Sequence, residues 1–188
     1  MKNINQGEAE LLLNECPNSV DSACEFAYAE SQAWREKNSQ LILEKFLEKY
    51  RDELNDVEKA KVYTNLAFYY NDEGNIKEYE YLSAAVKLNT PYIETYRGLA
   101  LYHFTSYADK GSVEELERSL LTYEKGRSIS DNYEMNFGYA VCLFELKEYE
   151  KAKIIFLQLL ENYPNRMRLL LCIASVSYTH LTLPTNRE

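Results

Sequence analysis

The sequence predicts an all-α fold, a solenoid of stacked antiparallel helix pairs, and three observations carry that prediction. Among 188 residues there are seventeen tyrosines against six glycines and four prolines, which favours long, uninterrupted elements joined by few tight turns. Two segments, 60–91 and 133–164, align as helix, short polar break, second helix and terminal proline. In each, a large residue followed by alanine (Leu66-Ala67, Tyr139-Ala140) precedes a bulky residue, Tyr70 or Leu143, on the same helical face.

Taken from the N-terminus, residues 1–18 allow a short helix at 8–14, ended by Cys16-Pro17. Residues 19–38 and 39–57 read as two amphipathic helices separated near Asn38-Ser39, a degenerate first repeat or a cap. Phe26, Ala27, Ala33 and Trp34 form the apolar stripe of the first, and Ile42, Leu43, Phe46, Leu47, Tyr50 and Leu54 that of the second. The first clear repeat follows at 60–91. Pro91 and Pro164 are 73 residues apart, five more than two periods of 34. A middle repeat at 93–130 fits between them, with Leu99-Ala100 as its large-small pair and Gly111 as its break. The five extra residues fall between 106 and 119, at the turn and the start of its second helix. Small residues such as Ala67, Ala100, Ala140 and Ala152 let helix axes approach, and large ones fill the opposing grooves. A single pair cannot bury its own apolar face, so the pairs must stack.

A helix–turn–helix period of about 34 residues resembles the tetratricopeptide repeat family. The matching residues are Leu66, Ala67, Tyr70, Gly74 and Pro91 in one repeat, and Tyr139, Ala140, Leu143, Tyr149, Ala152, Phe156 and Pro164 in another. Departures are Tyr79 and Ser83 in a second helix, Lys147 in place of the turn glycine, and a middle repeat without its terminal proline. The resemblance implies a right-handed superhelix and a protein- or peptide-binding scaffold whose concave groove is lined by first helices. Projected onto this chain, the groove positions are Lys61, Thr64, Phe68 and Asn71, then Glu94, Arg97, Leu101 and Phe104, then Glu134, Phe137, Val141 and Phe144. Several of the aromatics, Phe137 and Phe144 foremost, could instead pack on the next helix. The Lys and Asn pair with which some members clamp a terminal carboxylate is replaced by Thr64 and Phe68, Arg97 and Leu101, and Phe137 and Val141. No carboxylate clamp is expected.

A formal charge of −9 repels phosphate, which argues against nucleic acid or an anionic membrane and for a neutral or basic ligand. No run approaches the ~20 apolar residues of a membrane span, and the N-terminus lacks a signal-peptide pattern, so a cytoplasmic chain is expected. Cys16, Cys24, Cys142 and Cys172 show no paired spacing and read as small buried hydrophobes. His103 stands alone on a first helix, too isolated for a nucleophile unless Cys142 meets it. Glu114-Glu115 reads as solvated charge at a helix start. With no phosphate-binding, dinucleotide or metalloprotease motif, neither enzyme activity nor a metal or cofactor is expected. The alternative is a peptide-sensing fragment of a larger regulator or enzyme whose effector domain lies elsewhere.

A further repeat begins at Met167, with Ile173-Ala174 as its large-small pair. From residue 175 the helical period is expected to stop. The run 176–185 also resembles a translated sequencing adapter, so 175–188 reads as an artefactual tail on a truncated gene. Such a cut end would leave apolar surface open to self-association.

Overall fold

The computed structural model describes residues 19–71 and 76–182, with side chains to residue 178. The short helix expected at 8–14, Cys16 and Gly74 lie outside them. Among the described residues every regular element is a helix: α1 (Val20–Gln32), α2 (Glu36–Tyr50), α3 (Asp56–Tyr69), α4 (Ile76–Lys87), α5 (Ile93–Lys110), α6 (Val113–Ile129), α7 (Tyr133–Glu145), α8 (Tyr149–Asn162) and α9 (Met167–Thr182). They fall into two compact units, residues 1–99 and 100–188, whose boundary lies inside α5.

In the first unit, α1 pairs with α2 and α3 with α4. Helix starts follow capping chemistry. Ser19 accepts from the Ser22 amide, and Asn55 and Glu58 form a reciprocal capping box at α3. All six apolar residues read as the stripe of the second helix are buried, with Phe46, Ile42 and Leu43 at the centre beside Ala23, Ala27 and Leu66.

The break between α1 and α2 is not at Asn38-Ser39. It falls at residues 33–35, where Trp34 takes φ 60° and turns its ring out, 86% exposed. The stripe assigned to α1 therefore loses Trp34. Asn38 and Ser39 look like turn residues but sit in the first turns of α2, fully buried. Each is made tolerable there by a hydrogen bond across the pair. Ser39 Oγ donates to the Ala27 carbonyl at 2.7 Å, and Asn38 Nδ2 donates to Glu30 Oε2 at 2.6 Å.

In the second unit, α6 packs on α7, α7 on α8 and α8 on α9. Tyr123 of α6 lies so close to Gly138 of α7 that a Cβ there would sit 2.3 Å from its ring, which is why α7 carries glycine at that position. Gly111, at φ 69°, makes the α5–α6 turn, and Lys147, at φ 64°, makes the α7–α8 turn where the family has glycine. The extra residues of the middle repeat are helix rather than turn. Ala100 is bonded to Ser119 nineteen positions on, whereas Ala27 is bonded to Ser39 after twelve. This span is longer by seven residues, two more than the five expected from the proline spacing and close to two helical turns, so both helices lengthen without rotating their packing faces.

The helical period does not stop at residue 175. Helix α9 continues to Thr182, and Val176 is buried against the α7–α8 core with Leu169. The spacing of Leu169 and Val176, two turns apart, keeps them on one face despite the threonines that follow.

Candidate interaction faces

Helix α3 places Lys61, Thr64 and Phe68 on one stripe, because their spacings of three and four match its turn, whereas Asn71 lies past its C-cap, Tyr70. Thr64 Oγ1 donates its one proton to the Ala60 carbonyl at 2.7 Å, so Thr95 of α5, 2.8 Å away, must donate to Thr64. That bond ties the two first helices of the unit side by side. Lys61 Nζ lies 3.3 Å from Asp21 Oδ1 and 5.9 Å from the Tyr92 ring centre. Phe68 is 62% exposed and meets the Tyr69 ring in a T-shaped contact at 5.4 Å. Asn71 is also exposed. On α5, Arg97 Nε donates to Glu94 Oε2 at 2.6 Å, and both side chains remain partly open to solvent. This face combines an exposed aromatic with cations that already have local partners.

In the second unit, Leu101 is 42% exposed and Phe104, one turn on, is half-buried. Phe104 lines an open cleft of about 680 Å³ with Tyr107, Val113, Leu116 and Leu146. Tyr107 donates to Glu145 Oε2 at 3.2 Å across this cleft, leaving its walls largely apolar. Phe137 and Phe144 turn the other way. Phe137 is only 7% exposed, stacked on Tyr133 and 5.8 Å from Phe156, and Phe144 meets Tyr149 edge-on at 5.5 Å. Both belong to the stripe that α7 presents to α8, so their rings are used within the pair. Val141 is half-buried beside them, and Glu134 is exposed.

A second concavity, of about 780 Å³, lies against α2 and α4 and is lined by Glu44, Glu48, Asp52, Glu80, Tyr63 and Tyr81. At its wall Glu44 accepts from Tyr70 at 2.6 Å, Lys77 at 3.1 Å and Tyr81 at 3.4 Å. Burial, reinforced by Glu44, pushes the Tyr81 hydroxyl up to about 12, so it stays a neutral donor. These groups satisfy one another, and the cluster reads as a structural clasp between α2 and α4.

Cys142 and His103 are each engaged by groups other than one another. Cys142 Sγ lies 3.3 Å from Ser119 Oγ, whose single proton goes to the Ala100 carbonyl, so the thiol must donate to Ser119. Burial pushes the Cys142 and Cys24 thiols up to about 11, well away from a reactive thiolate. His103, 5% exposed, pairs its Nδ1 with Glu115 Oε2 at 2.7 Å, and Arg118 holds the other oxygen of that carboxylate at 2.9 Å. Glu115 is therefore not the solvated charge its sequence position implies. It joins α6 to α5. Among the described residues no three His, Cys, Asp or Glu side chains converge as a metal site, and no helix is long and apolar enough to cross a membrane.

Sequence reasoning missed the buried hydroxyls. Ser39 and Ser119 each donate to the carbonyl of an alanine on the partner first helix, at 2.7 and 2.8 Å. A signal existed for Ser39: it follows Phe26-Ala27 at the same distance that Ala152 follows Tyr139-Ala140.

Residues 135–166 match the family model for the tetratricopeptide repeat. Among solved structures, the chain is similar to a thermophilic TPR protein of Thermus thermophilus, with a TM-score of 0.59 and 16% identity over 92% of this chain and 89% of that one. No curated protein sequence matches the chain.

Proposed function

We propose that this chain, which carries a tetratricopeptide repeat and the fold of a tetratricopeptide repeat protein, binds a partner peptide on the exposed faces of its first helices. A repeat scaffold of this kind serves protein interaction in general; the peptide and its site are our reading. The observation that carries it is Phe68, a large aromatic 62% exposed on a first helix, framed by Lys61, Thr64 and Asn71. Aromatic and arginine side chains most often dominate binding energy. Within the first unit, Arg97 adds a guanidinium whose partner Glu94 is itself half-exposed and can be shared. Within the second, Leu101 and the cleft beside Phe104 would take an apolar side chain.

With a net charge of −9 the ligand is neutral or basic, and binding to a basic one weakens as salt rises. The test is capture of partners from the source organism by wild type and by Phe68→Ala and Arg97→Ala/Phe104→Ala variants, followed by titration of the captured peptide. Each exposed-face substitution should cost about 1–2 kcal/mol of affinity with the helical signal intact. Retention of every partner by these variants, with loss on altering Tyr81 in the α2–α4 concavity, would move the site to that side.

A further inference from the structure

The cleft beside Phe104 exists because the α5–α6 pair is longer than the α7–α8 pair. In α7–α8, Phe144 and Tyr149 meet edge-on at 5.5 Å, and the chain reverses between them at Lys147. Counted from Ala100 and Ser119, the same positions of α5 and α6 are Phe104 and Leu116. There the chain does not reverse. The seven added residues give each helix about one further turn, roughly 5 Å, before the turn at Gly111. Those turns carry Tyr107, Ala108 and Val113, which face residues 145–147 across the cleft. Val113 is 55% exposed and Leu116, three positions on, is buried, so the apolar wall runs from the rim into the core.

We propose, resting on the reading of this chain as a peptide-binding scaffold, that the cleft seats a partner segment in which a bulky apolar side chain stands beside a lysine or arginine. Its volume of about 680 Å³ lies within the range of sites that bury a whole small ligand, so it has room for an apolar side chain and its flanking residues. Phe104, Val113, Leu116 and Leu146 supply the apolar contact. Glu145 supplies the charge. Its carboxylate is held at the cleft by the Tyr107 hydroxyl at 3.2 Å, and a carboxylate can accept further donors. Exposed Asp109, Glu114 and Glu117 lie on the last turn of α5 and the first turns of α6, against Lys110 and the wall residue Lys147. Carboxylates outnumber ammonium groups there, within a chain at −9, and this favours a cation beside the apolar anchor.

A displayed library of random twelve-residue peptides, selected on the full chain, supplies the probe. Enriched peptides should pair a leucine, isoleucine, methionine or phenylalanine with an adjacent lysine or arginine. Val113→Glu, at an exposed wall position, should raise their dissociation constants at least about tenfold with an unchanged helical circular dichroism spectrum. Glu145→Gln keeps an acceptor for Tyr107 and removes the charge. It should raise the same constants about three- to tenfold and flatten their salt dependence. Peptides that respond to Phe68→Ala yet ignore both cleft variants overturn this assignment and leave the first-helix reading standing. Peptides indifferent to all three variants, or a selection that yields no binder, overturn both. Enrichment of acidic or purely apolar peptides overturns the pairing with a basic residue. Wild-type self-association that Val113→Glu abolishes would assign the cleft to a second copy and overturn the peptide.

Discussion

The first helix pair, α1–α2, and the pair α7–α8 solve one packing problem with different chemistry. Both carry a small residue of the second helix twelve positions after an alanine of the first: Ser39 donates to Ala27, and Ala152 shares a buried cluster with Ala140. In α7–α8 the flanks are rings, Phe137 on Phe156 and Phe144 on Tyr149. In α1–α2 the same closeness is held by polar bonds. Ser39 donates to Ala27, and Glu30 accepts from Arg35 Nε at 2.6 Å and Asn38 at 2.6 Å, clasping the turn around the outward-facing Trp34. Size complementarity fixes the helix separation in both pairs. In the first, hydrogen bonding also fixes the register, so the two pairs should fail differently.

The largest difference is expected from the rings. Phe156→Ala should lower stability by about 3–5 kcal/mol, since it opens a cavity under Phe137. Ala152→Leu should cost about 1–3 kcal/mol by overpacking the alanine contact. Both are read from urea midpoints at unchanged slope. If either is neutral, the α7–α8 register is wrong.

Breaking the polar clasp comes next. Glu30→Ala leaves Arg35 without its carboxylate and the buried Asn38 with a lost acceptor, and should cost about 1–3 kcal/mol. The same contact makes α1–α2 acid-sensitive. Hydrogen bonding from Arg35, with Asn38 assisting, holds the Glu30 carboxyl below the usual carboxylate range despite its burial. A group whose pKa is depressed on folding contributes stability above its unfolded value near ~4.3 and loses it as pH falls through the lower folded value. Wild type should therefore lose stability from about pH 4 downwards more steeply than Glu30→Gln does. Parallel acid profiles for the two would remove Glu30 from the account.

Exchanging the small residues sharpens the comparison. Ser39→Ala should cost about 1 kcal/mol, whereas Ala152→Ser should cost less than about 1 kcal/mol if its hydroxyl finds the Ala140 carbonyl as Ser39 finds Ala27. A large penalty for Ala152→Ser would mean that the two pairs differ in backbone separation as well as in chemistry.

The smallest effects concern the turns. Trp34 and Lys147 hold left-handed φ values of 60° and 64° in equivalent turns. Glycine at either place removes about 1 kcal/mol or more of steric cost and adds back ~0.5–1 kcal/mol of unfolded-state entropy. A net gain of a few tenths of a kcal/mol is expected for Lys147→Gly. Trp34→Gly should gain slightly more, because an 86% exposed ring contributes little packing.

Patterns of residue size, with glycine as the break, were enough to anticipate paired helices, the Gly111 turn and the buried stripe of α2. Size and period are local properties, carried by residues three, four and seven apart. The polar residues resisted the same treatment. Asn38, Ser39 and Glu115 look like turn or surface chemistry in sequence, and these three, with Ser119 and His103, are each settled by a partner across a helix pair. The groove positions divided on the same ground. Phe68, Leu101 and Phe137 all occupy first-helix positions, but the first two are open and the third faces its own second helix.

What the sequence alone determined was the all-α class and the pairing of helices, because period, proline phase and large-small spacing are written along the chain. Which side chains stay exposed, where the first turn lies and how far α9 runs were decided by tertiary structure. Burial of Val176 carries α9 through residues whose own preferences favour extended chain, and hydrogen bonds across the pair make Asn38 and Ser39 helical. Each outcome depends on a neighbour that folding supplies, and a linear pattern cannot contain it.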